Sequence, residues 1–202
     1  FPVVGLFLYA NGAPKPRVLW LKFDTGMHRL GFALEHAKEA IARARALDIP
    51  LRFMTHFANT HHRGDASVHA QMDRFEQLLA CEAGERSLAN SGAVLGYERA
   101  HGDWVRPGLM LYGVSPFDHE VGADLGLLPV MTLRSRLISV RQVRAGEAVG
   151  YGGAYVCPQD MPVGVLAYGY GDGYPRHAQT GTPILVRGIR TQVIGHCSMD
   201  MM

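Results

Sequence analysis

The sequence is poor in lysine, in pairable cysteine and in long apolar runs. Of its 20 basic residues only Lys15, Lys22 and Lys38 are lysines. Its three cysteines, Cys81, Cys157 and Cys197, are odd in number and match no disulfide framework and no C-x-x-C metal spacing. A reducing, cytoplasmic setting is therefore expected. No apolar stretch approaches the ~18 residues needed to span a bilayer, and the opening FPVVGLFLYANG lacks the basic start of a signal peptide. No charge of one sign dominates either. Lys+Arg 20 against Asp+Glu 18 gives a formal charge of +2, which leaves no electrostatic case for a nucleic-acid or membrane-surface partner. The chain also has no initiator Met and stops at SMDMM inside a strand-like pattern, so a piece of something longer is expected.

What is present suits a packed fold. The 202 residues are 48% hydrophobic and 19% charged, enough for a core in one domain or two small ones. The 24 glycines, against a typical share of ~7%, imply many turns and close backbone approaches. From Arg17 to Gly113 short β-rich runs alternate with helical patterns. RVLWLKF (Arg17 to Phe23), LRFMTHFA (Leu51 to Ala58), a short run at Ser87 to Ala89 and RPGLMLYG (Arg106 to Gly113) read as strands. Helices are expected over Leu34 to Leu47, where Leu34, Ala37, Ile41, Ala44 and Leu47 share a face, and over about Ser67 to Glu82. Such alternation predicts βαβ units on a parallel sheet. From Val130 onward only strand-like pieces and turns occur, predicting an all-β domain and a boundary near Pro129.

Polar groups cluster where those strands should end. KFDTGMHRLG brings Lys22, Asp24 and Arg29 within reach of one another, for function or as a capped helix start with a surface ion pair. THFANTHHRGD holds His56 in a β-rich run and His61, His62 and Asp65 in a loop, the loop histidines reading as solvated polar residues. LANSGA and RPGLMLYG together could leave backbone N–H groups free to hold an anion, as the last strand loops of barrels do; glycine-lined turns without a ligand are the competing reading. VGYGG sets Tyr151 between glycines, placed for presentation to a partner surface or else for the core. In GYGDGYPR, Asp172 reads as a turn residue.

In this order KFDTGMHRLGF, HFAN, ANSGA, RPGLMLYG, VGYG, GYGDGYPR and VIGHCSMD resemble the alanine racemase family over nearly the whole chain. The resemblance implies pyridoxal 5'-phosphate as cofactor, interconversion of L- and D-alanine by proton transfer at Cα, and a head-to-tail homodimer. It implies a (β/α)8 barrel followed by a β domain. Tyr151 is similar to the family's tyrosine base, which serves the partner subunit's site. Arg106 is similar to the arginine that donates to the pyridine nitrogen, and His56 to the histidine contacting the ring. Ser91 and the backbones of Gly108 and Leu109 resemble phosphate-site groups, and Tyr170 the tyrosine near the phosphate. Arg29 resembles the arginine that meets the substrate carboxylate, and Lys22 a lysine that is often carbamylated and positions it. Met199 and Asp200 fall in the SMD that lines the substrate pocket. No metal ion is assigned.

The chain departs from the family pattern at Ser87, Pro107 and His196, and one further difference is larger. The family's cofactor lysine lies in a segment like KANAYGHG, which this sequence does not contain. Lys15 sits between prolines, Lys38 on a helical pattern, and Lys22 already matches another role. About four βα units are counted where a closed barrel needs eight. The chain is therefore expected to be a partial TIM-type barrel, about the last four βα units over residues 1–128, followed by a truncated β-barrel-like domain over 129–202. On its own it is expected to be inactive.

Three other readings are open. One is a non-catalytic remnant or partner-binding module with the same fold. A second is a racemase of other or broader amino-acid specificity. The third takes His56, His61, His62 and Asp65 as zinc ligands of a barrel hydrolase.

Overall fold

The computed structural model describes residues 15–202. The chain divides into two compact units, Phe1–Met131 and Thr132–Met202. Among the described residues no helix is long and apolar enough to cross a membrane.

Among the described residues the first unit is built on a three-stranded parallel sheet, β1 (Leu19–Lys22), β2 (Leu51–Met54) and β3 (Arg86–Ser87), in the order β1-β2-β3. Leu19 pairs with Leu51 and Phe53 with Arg86. Strand alternation sends Leu21, Leu51 and Phe53 inward. Helix α1 (Leu34–Arg45) joins β1 to β2 and buries Ala37, Ala40, Ile41 and Ala44, the 3.6-residue stripe visible in the sequence. Helix α2 (Ala66–Leu78) joins β2 to β3 and buries Val68, Gln71, Met72 and Phe75. Asp65 caps its first turn, accepting from the Ser67 amide at 2.7 Å. These faces close over one core around Phe23, Phe53, Phe57, Phe75 and Leu79. A short helix α3 (Ser91–Gly96) follows β3, capped by the Asn90 carboxamide, which accepts from the Ala93 amide at 3.1 Å.

Where a fourth strand is expected, RPGLMLYG instead forms a 3-10 turn over Leu109–Tyr112, and the only ladder contact on that side of β3 among the described residues is a single bridge, Ser87 with Trp104. The chain there is bent by Gly113, whose φ of 80° brings it so close to the Leu128 carbonyl that a side chain would collide. The strand over 51–58 likewise stops at Met54, with the Thr55 amide making one last bond to the Ser87 carbonyl at 3.2 Å.

A buried polar relay locks these strand ends. Gln71 Nε2 donates to Thr25 Oγ1 at 3.2 Å, and the hydroxyls of Thr25 and Thr55 lie 2.7 Å apart. Thr55 Oγ1 donates to the Phe23 carbonyl at 3.0 Å. A hydroxyl carries one proton, so the direction is fixed: Thr25 donates to Thr55. Gln71 completes the knot by accepting from the Ala58 amide and donating to the His56 carbonyl. The relay ties β1, β2 and α2 together beside His56.

The second unit contains three two-stranded antiparallel ladders: β4 (Leu137–Val143) with β7 (Met161–Leu166), β5 (Ala148–Val149) with β6 (Tyr155–Val156), and β8 (Pro183–Val186) with β9 (Ile189–Gln192). Cys157, Val193 and Cys197 are buried. VGYGGAYV is not one strand. Gly150 and Gly152, at φ of 75° and 69°, break it into β5, a turn over Tyr151–Gly153, and β6. The β reading of IRTQVIGHCSM holds only to Gln192.

Replacing Thr55 with Val keeps the shape but leaves the Thr25 hydroxyl and the Phe23 carbonyl without their partner. Urea unfolding should show a loss of about 1–3 kcal/mol, while Thr191→Val on exposed β9 should stay within about 0.5 kcal/mol. Equal midpoints for the two variants would rule out the relay as a stabilising element.

Candidate functional site

In the first unit the carboxyl ends of the three strands converge on Arg106. Its Nη2 donates to the Thr55 carbonyl at 2.7 Å and the Leu88 carbonyl at 3.1 Å, and Nη1 donates to Ser87 Oγ at 2.5 Å. The Arg106 amide donates to the Ala89 carbonyl at 2.9 Å. The guanidinium thus satisfies carbonyls beyond β2 and β3 that no fourth strand takes up. Burial lowers its pKa below the usual arginine value, but a guanidinium remains a donor only. Among the described residues its Nε–H and the second Nη1–H have no protein acceptor, which leaves two directed cationic donors, Nε–H among them, for a ligand.

His56 Nδ1 lies 3.5 Å from Arg106 Nη2. Arginine cannot accept, so Nδ1 faces it as the acceptor and the ring proton belongs on Nε2. Burial, and then the positive charges of Arg106, Arg29 and Lys22, lower the His56 pKa to about 4. The imidazole is therefore neutral at neutral pH. Lys22, at the end of β1, also has its pKa lowered, by burial first and then by Arg29 and Arg106, with Asp24 opposing.

Arg29 stands on a loop folded by Asp24. One carboxylate oxygen, Asp24 Oδ1, accepts from the amides of Gly26, Met27 and His28 at 3.0, 3.1 and 3.0 Å. Burial pushes the Asp24 pKa up, yet these N–H groups and the charge of His28 outweigh it and hold the carboxyl below its ordinary value. The loop closes where the Phe32 amide donates to the Lys22 carbonyl at 2.8 Å. Gly31, at φ of 135°, passes so near the Asp24 amide that a Cβ would lie 2.7 Å from it.

Around Ser91 the expected phosphate end takes a definite form. Ser91 Oγ accepts from the Gly108 amide at 2.8 Å and from the Met110 amide at 3.3 Å. The Gly108 N–H is thus committed to Ser91. Among the described residues the amides of Ser91, Gly92 and Leu109 have no protein acceptor. Gly92 is required here, because a Cβ would meet the Thr60 carbonyl at 2.6 Å.

The second unit brings three of the expected residues to one open cleft of about 940 Å³, lined by Tyr151, Tyr170 and Met199 with Arg176, His177 and His196. Arg176 lies over the Tyr170 ring at 5.4 Å. The turn carrying Tyr170 is fixed by its amide donating to the Ser198 carbonyl at 3.0 Å and by the Gly171 amide donating to the Met199 carbonyl at 2.7 Å. Gly169 runs against that Met199 carbonyl with no room for a side chain. Asp200 is exposed. Tyr151 is 75% exposed, so the core reading of this tyrosine is set aside. Asp172 is a turn residue, accepting from the Gly169 amide at 2.9 Å.

The structure separates the four zinc-ligand candidates. His56 belongs to the Arg106 cluster and Asp65 caps α2, so neither joins His61 and His62. Thr25, Thr55, Gln71 and Arg74, whose Nη1 donates to the Thr25 carbonyl at 2.8 Å, hold the strand ends without belonging to any motif visible in the sequence. A Thr shortly beyond each of two parallel strands, three places after β1 and one after β2, was the available signal.

Comparison with known proteins gives a consistent result. Residues 8–116 match the family model for the alanine racemase N-terminal domain, and residues 130–202 the model for its C-terminal domain. The chain is 49% identical over 191 residues to an alanine racemase of Aeromonas hydrophila subsp. hydrophila, covering 93% of this chain and 54% of the relative. It is 51% identical over 189 residues to one of Nitrosococcus oceani, covering 92% and 53%. The chain spans about half the length of the curated relatives it matches. A crystal structure of the biosynthetic alanine racemase from Pseudomonas aeruginosa superposes with a TM-score of 0.90 at 44% identity, covering 98% of this chain and 56% of that one. An alanine racemase from Bartonella henselae with covalently bound pyridoxal phosphate matches at a TM-score of 0.78 and 27% identity, covering 97% and 54%.

The His56 environment has a measurable consequence. NMR titration of the ring should give a midpoint near 4, and Arg106→Gln should raise it while leaving it below the ordinary value, since burial is the larger cause. Between about 6.5 and 4 the unfolded chain takes up a proton that the folded chain refuses, so His56 makes the fold less stable as the pH falls through that range. A midpoint near 6.5 in the folded protein would contradict the geometry.

Proposed function

This chain belongs to the alanine racemase family, and on that premise we propose that it supplies the ring and phosphate end of a pyridoxal 5'-phosphate site together with the tyrosine base for racemisation of alanine. The observation that carries the reading is the Arg106 cluster. It offers a permanent cation whose Nε–H is free for a ligand, beside a neutral His56, with a hydroxyl and free amides on the following turn.

These residues fit the cofactor's chemistry at both ends. A dianionic phosphate needs several N–H or O–H donors, and the Ser91 hydroxyl with the amides of Ser91, Gly92 and Leu109 provides them. A pyridine nitrogen needs a donor, and Arg106 Nε–H is one that never gives up its proton. When bound, the cofactor supplies an electron-withdrawing ring that stabilises negative charge at the substrate Cα. Arg106 keeps the ring nitrogen unprotonated and so limits that withdrawal. Neutral His56 adds no second positive charge beside it. Arg29 binds the substrate carboxylate, and Lys22 positions Arg29. A lowered lysine pKa raises the share of free amine, the form that takes up carbon dioxide to become a carbamate.

Tyr151 moves a proton to and from Cα on one face of the substrate. A phenol with an ordinary pKa of about 10 needs cationic neighbours to do this at neutral pH. Its exposure on the second unit supports a role in the site of a second copy, in a head-to-tail dimer where Met199 and Asp200 also line the substrate pocket. Residues 1–128 are assigned to part of a (β/α)8 barrel and 129–202 to the β domain. Three parallel strands with their helices support this. The base for the other face, and the bond that anchors the cofactor, require a lysine that none of Lys15, Lys22 and Lys38 matches.

Pyridoxamine 5'-phosphate binds without any lysine and so probes these groups alone. Its dissociation constant should rise about tenfold or more in Arg106→Gln and in Ser91→Ala, the size of one charge-assisted hydrogen bond. Unchanged affinity in both variants would remove the assignment.

A further inference from the structure

We propose that His61, His62 and Asp118 form a binding site for one divalent transition-metal ion, with zinc as the reference ion. One ligand atom from each residue can be chosen so that all three lie within 4.8 Å of one another. His62 Nδ1 is 3.5 Å from Asp118 Oδ2. The His61 and His62 rings sit 4.1 Å apart between centroids. Two imidazoles and a carboxylate are the donor set that zinc, cobalt, nickel and copper prefer over calcium or magnesium. Bonds of about 2.0–2.2 Å place neighbouring ligands roughly 3.3 Å apart. The three groups therefore need only side-chain rotation, and water completes the shell.

The backbone beneath the cluster is already fixed from two sides. The His62 carbonyl accepts from Tyr97 Oη at 2.5 Å, and that same oxygen accepts from the Asp65 amide at 2.9 Å. The Asp118 amide donates to the His61 carbonyl at 3.4 Å, joining the two ligand-bearing segments directly. Arg63 clamps them further. Its Nε and Nη2 donate to the two Glu120 oxygens at 2.8 and 3.0 Å, and its guanidinium lies 3.8 Å over the buried Phe117 ring. Glu120 thereby neutralises the nearest cation, which would otherwise oppose a metal ion. The site is independent of Arg106 and His56. It neighbours Thr60, whose hydroxyl donates to Asn90 Oδ1 at 2.9 Å, so an ion here would brace the segment that supports the cap of α3.

The test is a zinc titration of the full chain at pH 7.5 by calorimetry, with far-UV circular dichroism on every variant. One ion per chain should bind, with affinity falling roughly tenfold or more in His62→Ala and in Asp118→Asn but not in His69→Ala. Zinc at about a hundred times its dissociation constant should raise the thermal midpoint of the wild type by about 5 °C and leave that of Asp118→Asn unmoved. If a variant fails to fold, cobalt added to the wild type should shift the His61 and His62 ring signals ahead of those of His177 and His196. Absence of saturable binding, wild-type affinity in both ligand variants, or first shifts at His177 and His196 would overturn the site.

Discussion

A single guanidinium sets the geometry of the first unit. Parallel strands end in carbonyls that must find donors, and beyond β2 and β3 those donors come from Arg106 rather than from a fourth strand. The same side chain then cannot move without orphaning the Thr55 and Leu88 carbonyls. That constraint gives the site a fixed cation, which adds to burial in keeping His56 neutral and in lowering the Lys22 pKa. Structural and chemical roles are therefore inseparable at this residue. The Thr25–Thr55–Gln71 relay performs the companion task on the other side of His56, where no charge is involved.

The second unit is organised by glycine more than by core. Gly150 and Gly152 break a strand so that Tyr151 stands out from the surface, and Gly169 lets the Tyr170 turn rest on the Met199 backbone. A side chain presented this way stands open to solvent, 75% exposed.

Helices α1 and α2 were legible because their apolar stripes are regular, and β1 and β2 because β-rich runs preceded them. Strand ends were less legible. RPGLMLYG has the apolar content of a strand, but Gly113 and the proximity of the Leu128 carbonyl turn it into a 3-10 segment, a tertiary effect that no local pattern reports. The ordered motifs pointed to Lys22, Arg29, His56 and Arg106, and the structure brings these four close enough for their charges to act on one another. Gln71 was hidden because on a helix it resembles any polar residue, and only its burial against Thr25 and His56 shows its purpose. Asp118 was hidden for another reason. It lies 56 positions beyond His62, and only the fold brings the two side chains together.

The scarcity of lysine separates holding a cofactor from using it. The most direct measurement incubates the full chain with pyridoxal 5'-phosphate and L-alanine and follows the appearance of D-alanine by optical activity. Cofactor should bind, and D-alanine should form no faster than with free cofactor. Racemisation above that background, abolished by Tyr151→Phe, would show that one of Lys15, Lys22 and Lys38 completes the site and would contradict the division of roles drawn here.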